Sequence, residues 1–202
     1  MTDPVSDIFV ARQPIFDIRS KLFGYELLFR SSWENQVGLP DPEHATASVM
    51  ANSFFVFGIG TMAGTARAMI NFTRESLVND YAFALPRESL VVEILEHVKP
   101  DPEVMAACHR LKQAGYLIAL DDFDQRDEVG DLLELADIVK IDFLACDESQ
   151  RAAFAHDLGH RNIALLAEKV ETHEDSDQAI RLGYKGISTP GLRSWWLGRH
   201  RR

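Results

Sequence analysis

Leu117-Ile118-Ala119-Leu120-Asp121-Asp122 is a short apolar run that stops abruptly at two carboxylates, and the reading of the whole chain turns on it. The same break recurs elsewhere. Leu90-Val91-Val92 stops at Glu93, Ala68-Met69-Ile70 at Asn71, Ile163 through Ala167 at Glu168, and Phe23-Gly24-Tyr25 at Glu26. Ile138-Val139 leads into Lys140-Ile141-Asp142. Apolar runs of this length read as strands. If they are strands of one closed sheet, their polar ends meet at one mouth, where (β/α) barrels keep their active sites. One such ending is only a solvated strand end or a helix cap. A set of them in register, most of them acidic, points to a divalent-metal site.

Helical patterns fit between the runs, over 102–114, 128–135, 147–158 and 174–182. Pro102 suits a first helical turn with Asp101 as its cap, and Gly115 and Gly183 fall just past helix ends. Before them, Ile8 to Phe16 and Lys21 to Arg30 read as two strands around the turn Asp17-Ile18-Arg19-Ser20, a hairpin. Residues 31–43 read as a polar loop and Ala45 to Met62 as a helix. Strands alternating with helices favour a sheet with helices outside it. The expected fold is therefore α/β, a TIM-like (β/α)8 barrel opened by an antiparallel hairpin. Such barrels usually need about 250 residues, and this chain has 202. The expectation is an incomplete C-terminal closure: a barrel domain over 1–186, and an atypical basic tail over 187–202 that carries Trp195-Trp196.

Composition narrows the class. The formal charge is −10, and hydrophobic residues make up 46% of the chain. That argues against DNA or RNA polymers and against anionic membranes. It leaves room for a small anionic ligand held through metal ions, because bound cations reverse the local field. Two cysteines, Cys108 and Cys146, are too few for a disulfide framework and fit a reduced, cytoplasmic compartment. No apolar run is long enough to span a bilayer.

Read in order, Gln13-Pro14-Ile15, Glu26-Leu27-Leu28-Phe29-Arg30, Ile70-Asn71-Phe72-Thr73, Val92-Glu93-Ile94-Leu95-Glu96, Ala119-Leu120-Asp121-Asp122-Phe123, Val139-Lys140-Ile141-Asp142 and Ala167-Glu168-Lys169-Val170-Glu171-Thr172 resemble the EAL domain. That family hydrolyses the bacterial second messenger cyclic di-GMP to linear pGpG. The variants look closest to EAL domains that precede an HDOD domain in two-domain signalling proteins. The resemblance implies that Glu26, Asn71, Glu93 and Asp121 ligate one Mg²⁺ or Mn²⁺, with Asp122 helping a second ion. It makes Glu168 the general base and has Lys140 orient or polarise water and phosphate. Arg30 and Gln13 would contact substrate, and Glu96, Asp142 and Glu171 would support the site. A homodimer and an HDOD domain in a longer parent are the protein partners it admits.

The chain departs from the family in two places. Gly-Thr-Gly normally follows Asp-Asp-Phe and shapes a loop linked to dimerisation; here Asp124-Gln125-Arg126-Asp127 follows. A Gln-containing segment normally follows the last Gly-Tyr; here Ile187-Ser188-Thr189 stands there. The retained carboxylates favour a metal-dependent phosphodiesterase. The departures favour the alternative, a degenerate EAL domain that binds cyclic di-GMP or a protein without cleaving. His156 and His160, at i,i+4 spacing, read as solvent-exposed rather than as ligands.

Overall fold

In the computed structural model the described residues are 9–30, 63–123 and 130–189. Eight strands close into a barrel in chain order. β1 (Phe9–Asp17) and β2 (Leu22–Arg30) form the expected antiparallel hairpin, with Gln13 opposite Glu26. Its turn is held by Asp17, whose carboxylate accepts the N–H groups of Arg19 and Lys21, both at 2.8 Å. β3 (Arg67–Phe72), β4 (Leu90–Ile94), β5 (Leu117–Leu120), β6 (Ile138–Asp142) and β7 (Ala164–Glu168) follow in parallel.

Among the described residues the helices are α1 (Arg74–Val78), α2 (Pro102–Ala114), α3 (Leu132–Leu135), α4 (Glu148–Leu158) and α5 (His173–Leu182). The ends of α2 form as its sequence requires. The Asp101 carboxylate accepts from the N–H groups of Glu103 and Val104, and Gly115 takes φ 85°, a left-handed conformation that costs glycine little. No described helix is long and apolar enough to cross a membrane. The expected helix over 45–62 and the loop over 31–43 lie outside the described residues, as do residues 124–129 and Trp195-Trp196.

Alternation along each strand divides the core in two. Ile70, Val92, Ile118, Val139 and Ala167 point outward and join Val104, Leu111, Phe154 and Ala179 in the shell between sheet and helices. Ile15, Met69, Val91, Ala119, Ile138 and Leu166 point inward and fill the lumen. From β3 to β8 the outward positions are apolar, so each of these strands can present a polar residue inward without breaking the shell.

The expectation of an incomplete barrel is corrected here. β8 (Gly186–Ser188) runs parallel to β7 and antiparallel to β1, which shuts the seam. Ile187 and Ser188, read from sequence with the tail, are thus strand residues. Three residues suffice because neighbouring segments supply further ladder bonds: Lys185 N–H donates to the Leu165 carbonyl at 2.8 Å, and Val170 N–H to the Ser188 carbonyl at 3.2 Å. Tyr184 and Ile187 anchor the strand, both fully buried. Pairing, not strand length, removes the unpaired edge.

Candidate active site

The pairing register explains why scattered residues meet. Asn71 lies opposite Glu93, Asp142 opposite Glu168, and Gln13 opposite Glu26. Glu26 faces Met69, so Asn71 sits two residues further along its strand, and the same two-residue step separates Glu93 from Asp121. This stagger is how a (β/α)8 barrel with a shear of 8 is built. Each inward residue directly above the apolar lumen layer is polar: Gln13, Glu26, Asn71, Glu93, Asp121, Lys140, Glu168 and, on β8, Ser188.

Lys140 stands at the centre of this layer. Its Nζ lies 2.8 Å from Asp121, 3.0 Å from Glu168 and 3.6 Å from Glu26, and it donates to Glu93. The side chain is 1% exposed and that of Glu93 is 0% exposed. Four carboxylates therefore share one ammonium in a nearly dry space. Burial drives the Glu93 carboxyl well above its usual range, and drives that of Glu26 up as well, with Lys140 opposing in both. Burial acts to lower the Lys140 ammonium, but Glu93, Glu168, Asp121 and Glu26 together raise it well above the ordinary lysine value. Burial lifts Glu168 to about 7, against the pull of Lys140.

The donor set fits a hard divalent cation. Asn71 Oδ1 and Glu93 Oε2 are buried with no hydrogen-bond partner. A buried acceptor left unsatisfied costs about 1–3 kcal/mol. Carboxylate oxygens of Asp121, Asp122 and Glu168 lie within 4.8 Å of one another, close enough to share an ion. An excess of carboxylates over ammonium, with orphaned oxygens among them, is what Mg²⁺, Mn²⁺ or Ca²⁺ coordination would neutralise.

A second charged group flanks the first. The Lys169 amine pairs with Asp142 and lies 3.9 Å from Asp122. Burial raises the Asp122 carboxyl, with Asp121 adding to it. Asp142 also accepts the N–H groups of Leu144 and Ala145, so it shapes the turn after β6 as well as facing Lys169.

Not every expected residue gathers here. Glu96 is exposed beside His97, and Glu171 is exposed in the turn after β7. Arg30 ends β2, but its side chain lies outside the described residues. Gln13 is spoken for within the fold, donating to Ser188 Oγ at 2.6 Å. His156 and His160 are exposed, as expected, with their rings edge to face at 5.7 Å. Ser188 and Lys169 are the members that the sequence did not single out. A three-residue strand is too short to show alternation, and Lys169 reads there only as the spacer between Glu168 and Glu171.

No protein-family model matches the chain. Among curated proteins it is 37% identical over 183 residues to YuxH of Bacillus subtilis, covering 88% of this chain and 45% of that one. It is 36% identical over 186 residues to the cyclic di-GMP phosphodiesterase CdgJ of Vibrio cholerae, covering 90% of this chain and 43% of that one. The chain thus spans less than half the length of these relatives. Among solved structures it superposes on the Bacillus subtilis YkuI protein, with an EAL domain, in complex with substrate c-di-GMP and calcium. The TM-score is 0.70 at 19% identity, over 96% of this chain and 60% of that one. The resemblance to EAL domains is borne out in motif order and in fold.

Proposed function

We propose that this chain, an EAL-type domain by motif order and fold, hydrolyses cyclic di-GMP to linear pGpG with Mg²⁺ or Mn²⁺ in bacterial signal transduction. One observation carries the reading: Lys140 inside a ring of four carboxylates, with the Asn71 and Glu93 oxygens orphaned beside it. The name of CdgJ, a relative at 36% identity, supports the substrate.

In this reading Glu26, Asn71, Glu93 and Asp121 would hold a divalent cation, with Asp122 standing at the place of a second. The bound cation would acidify a water and neutralise charge building on the phosphoryl oxygens. Glu168, lifted to about 7 by burial, takes the proton of the attacking water, because a base poised near neutral pH is both deprotonated and basic. Water adds to phosphorus as one P–O ester bond breaks, opening the ring, and the freed sugar oxygen takes up a proton to become a hydroxyl. Lys140 supplies fixed positive charge that needs no reorganisation as the phosphoryl group becomes more negative. The resemblance assigns Gln13 and Arg30, both on the hairpin, to the nucleotide, and Asp142, paired with Lys169 beside the site, to its support.

The alternative, a domain that binds cyclic di-GMP or a protein without cleaving it, draws on Ser188. This short hydroxyl holds the position where the family resemblance expects a longer amide, and Gln13 already occupies it. Incubation with cyclic di-GMP and Mg²⁺ or Mn²⁺, followed by chromatography of products, separates the two readings. Appearance of pGpG supports the phosphodiesterase; bound but intact nucleotide supports the binder. The motif variants further support an HDOD domain in a longer parent protein; a homodimer is the other partner the resemblance admits, and the mass of the parent in solution tests it. The two buried cysteine thiols, Cys108 and Cys146, support a cytoplasmic setting.

A further inference from the structure

Lys169 follows Glu168 directly yet belongs to no expected role. Its backbone has φ 54°, and that of Asp122 has φ 39°. Both are left-handed, a region that glycine enters freely and residues with a Cβ enter at a cost. Two such residues stand directly after mouth carboxylates, Asp121 on one side and Glu168 on the other. Outliers of this kind persist only where their surroundings hold them. Here the holding contacts are ionic. The Lys169 amine binds Asp142 and faces Asp122 at 3.9 Å, bridging the ends of β5 and β6 from the end of β7. Asp122 is at the same time one of the three carboxylates, with Asp121 and Glu168, whose oxygens lie within 4.8 Å.

We infer that Lys169 is a tethered cation in the second-ion position of this mouth, so that the chain loads one divalent ion tightly and resists another beside Asp122. The inference rests on the metal-dependent reading above and deepens it. An ammonium within about 4 Å of the shared carboxylate satisfies part of its charge and repels an incoming dication. Repulsion between a unit and a double charge at this range, in partly exposed surroundings, is worth tenfold or more in affinity, on the order of the Coulomb energies at a protein surface. Unlike a free ion the lysine cannot diffuse away, so the second position remains biased at any metal concentration.

The test is a Mn²⁺ titration of the intact chain, with free ion counted by its paramagnetic resonance signal, so that no turnover is needed. Wild type and Lys169→Arg are expected to bind one ion tightly. Lys169→Met and Lys169→Gly are expected to gain a second, about tenfold or more tighter than any second ion in wild type. The glycine variant suits the left-handed backbone and so remains usable if the methionine variant fails to fold. Equal stoichiometry and affinity in all four proteins overturns the inference while leaving the metal site standing. A gain in Lys169→Gly with a folded Lys169→Met unchanged also overturns it, because backbone freedom would then be the cause. Failure of every protein to bind Mn²⁺ overturns both this inference and the proposed metal-dependent function.

Discussion

Replacing Lys140 by methionine keeps the length and bulk of a fully buried side chain and removes only its charge. In the wild type that charge meets Glu93, Asp121, Glu168 and Glu26, with all four carboxylates at most 14% exposed. Removing one partner of a buried ion pair costs about 3–5 kcal/mol, because the other is left uncompensated. The four partners do not multiply this, since protons are taken up in place of the ammonium. For a domain of this size each kcal/mol moves the midpoint by about 2–4 °C, so Lys140→Met is expected to melt roughly 10 °C or more below wild type. The sign with pH is fixed. Glu26, Glu93 and Glu168 already hold protons to higher pH than usual, and they lose the neighbour that opposes this. The deficit is thus larger near pH 8 and shrinks toward pH 5, as Glu26, Glu93 and Glu168 take up protons. The assay is thermal unfolding by circular dichroism at both pH values, with chelator and then with Mn²⁺, which should narrow the gap. A Lys140→Met protein melting within a degree or two of wild type at pH 8 in chelator would refute the argument.

Glu168→Gln is expected to lower cyclic di-GMP turnover by about 10²–10⁴-fold while Mn²⁺ binding persists, as loss of a general base does; rates and isotherms on one preparation check it. The same variant tests the pH linkage. Burial raises the folded carboxyl to about 7, above the ordinary glutamate value of 4.5. Its stabilising contribution is therefore full below the unfolded value and fades as pH rises through 7. The unfolding free energy of metal-free wild type, from urea titration, should accordingly fall relative to Glu168→Gln by about 3 kcal/mol between pH 4.5 and 8. Glu26→Ala should weaken Mn²⁺ binding at least about tenfold, by analogy with losing one oxygen ligand; an unchanged isotherm removes Glu26 from the ligand set. Gly24→Ala would place a Cβ 2.6 Å from the Arg67 carbonyl oxygen across β2 and β3. It should cost about 1–3 kcal/mol as overpacking, read from urea midpoints.

The alternation of apolar runs and helical patterns located β1 through β7 and the helices α2, α4 and α5 within a few residues, because those elements bury whole faces and their composition must repeat. Capping was equally legible at Asp101 and Gly115, where one side chain or one φ value ends a helix. The polar ring was legible as a set of strand endings, since a buried acid at the end of an apolar run has no bland use when repeated. Closure was not. β8 is three residues long, and whether it pairs depends on edges supplied by β1 and β7, which lie far away in sequence. The expected open seam followed from counting residues, whereas hydrogen bonds decide a seam.

Within the site the same division holds. Residue type alone marked Glu26, Asn71, Glu93, Asp121, Lys140 and Glu168 as a group, because hard oxygen donors and one lysine on successive strands have a common chemistry. Which of them touch, which proton is held near neutral pH, and that Ser188 and Lys169 take part were set by the stagger of the barrel. A two-residue step at every second strand joint brings residues more than a hundred positions apart to one level. Burial at that level then raises Glu168, and no local stretch of sequence encodes burial. Sequence determined the inventory of groups and the strands that carry them; the closed barrel decided their distances, and distance in a low-dielectric space is what couples four carboxylates to one ammonium.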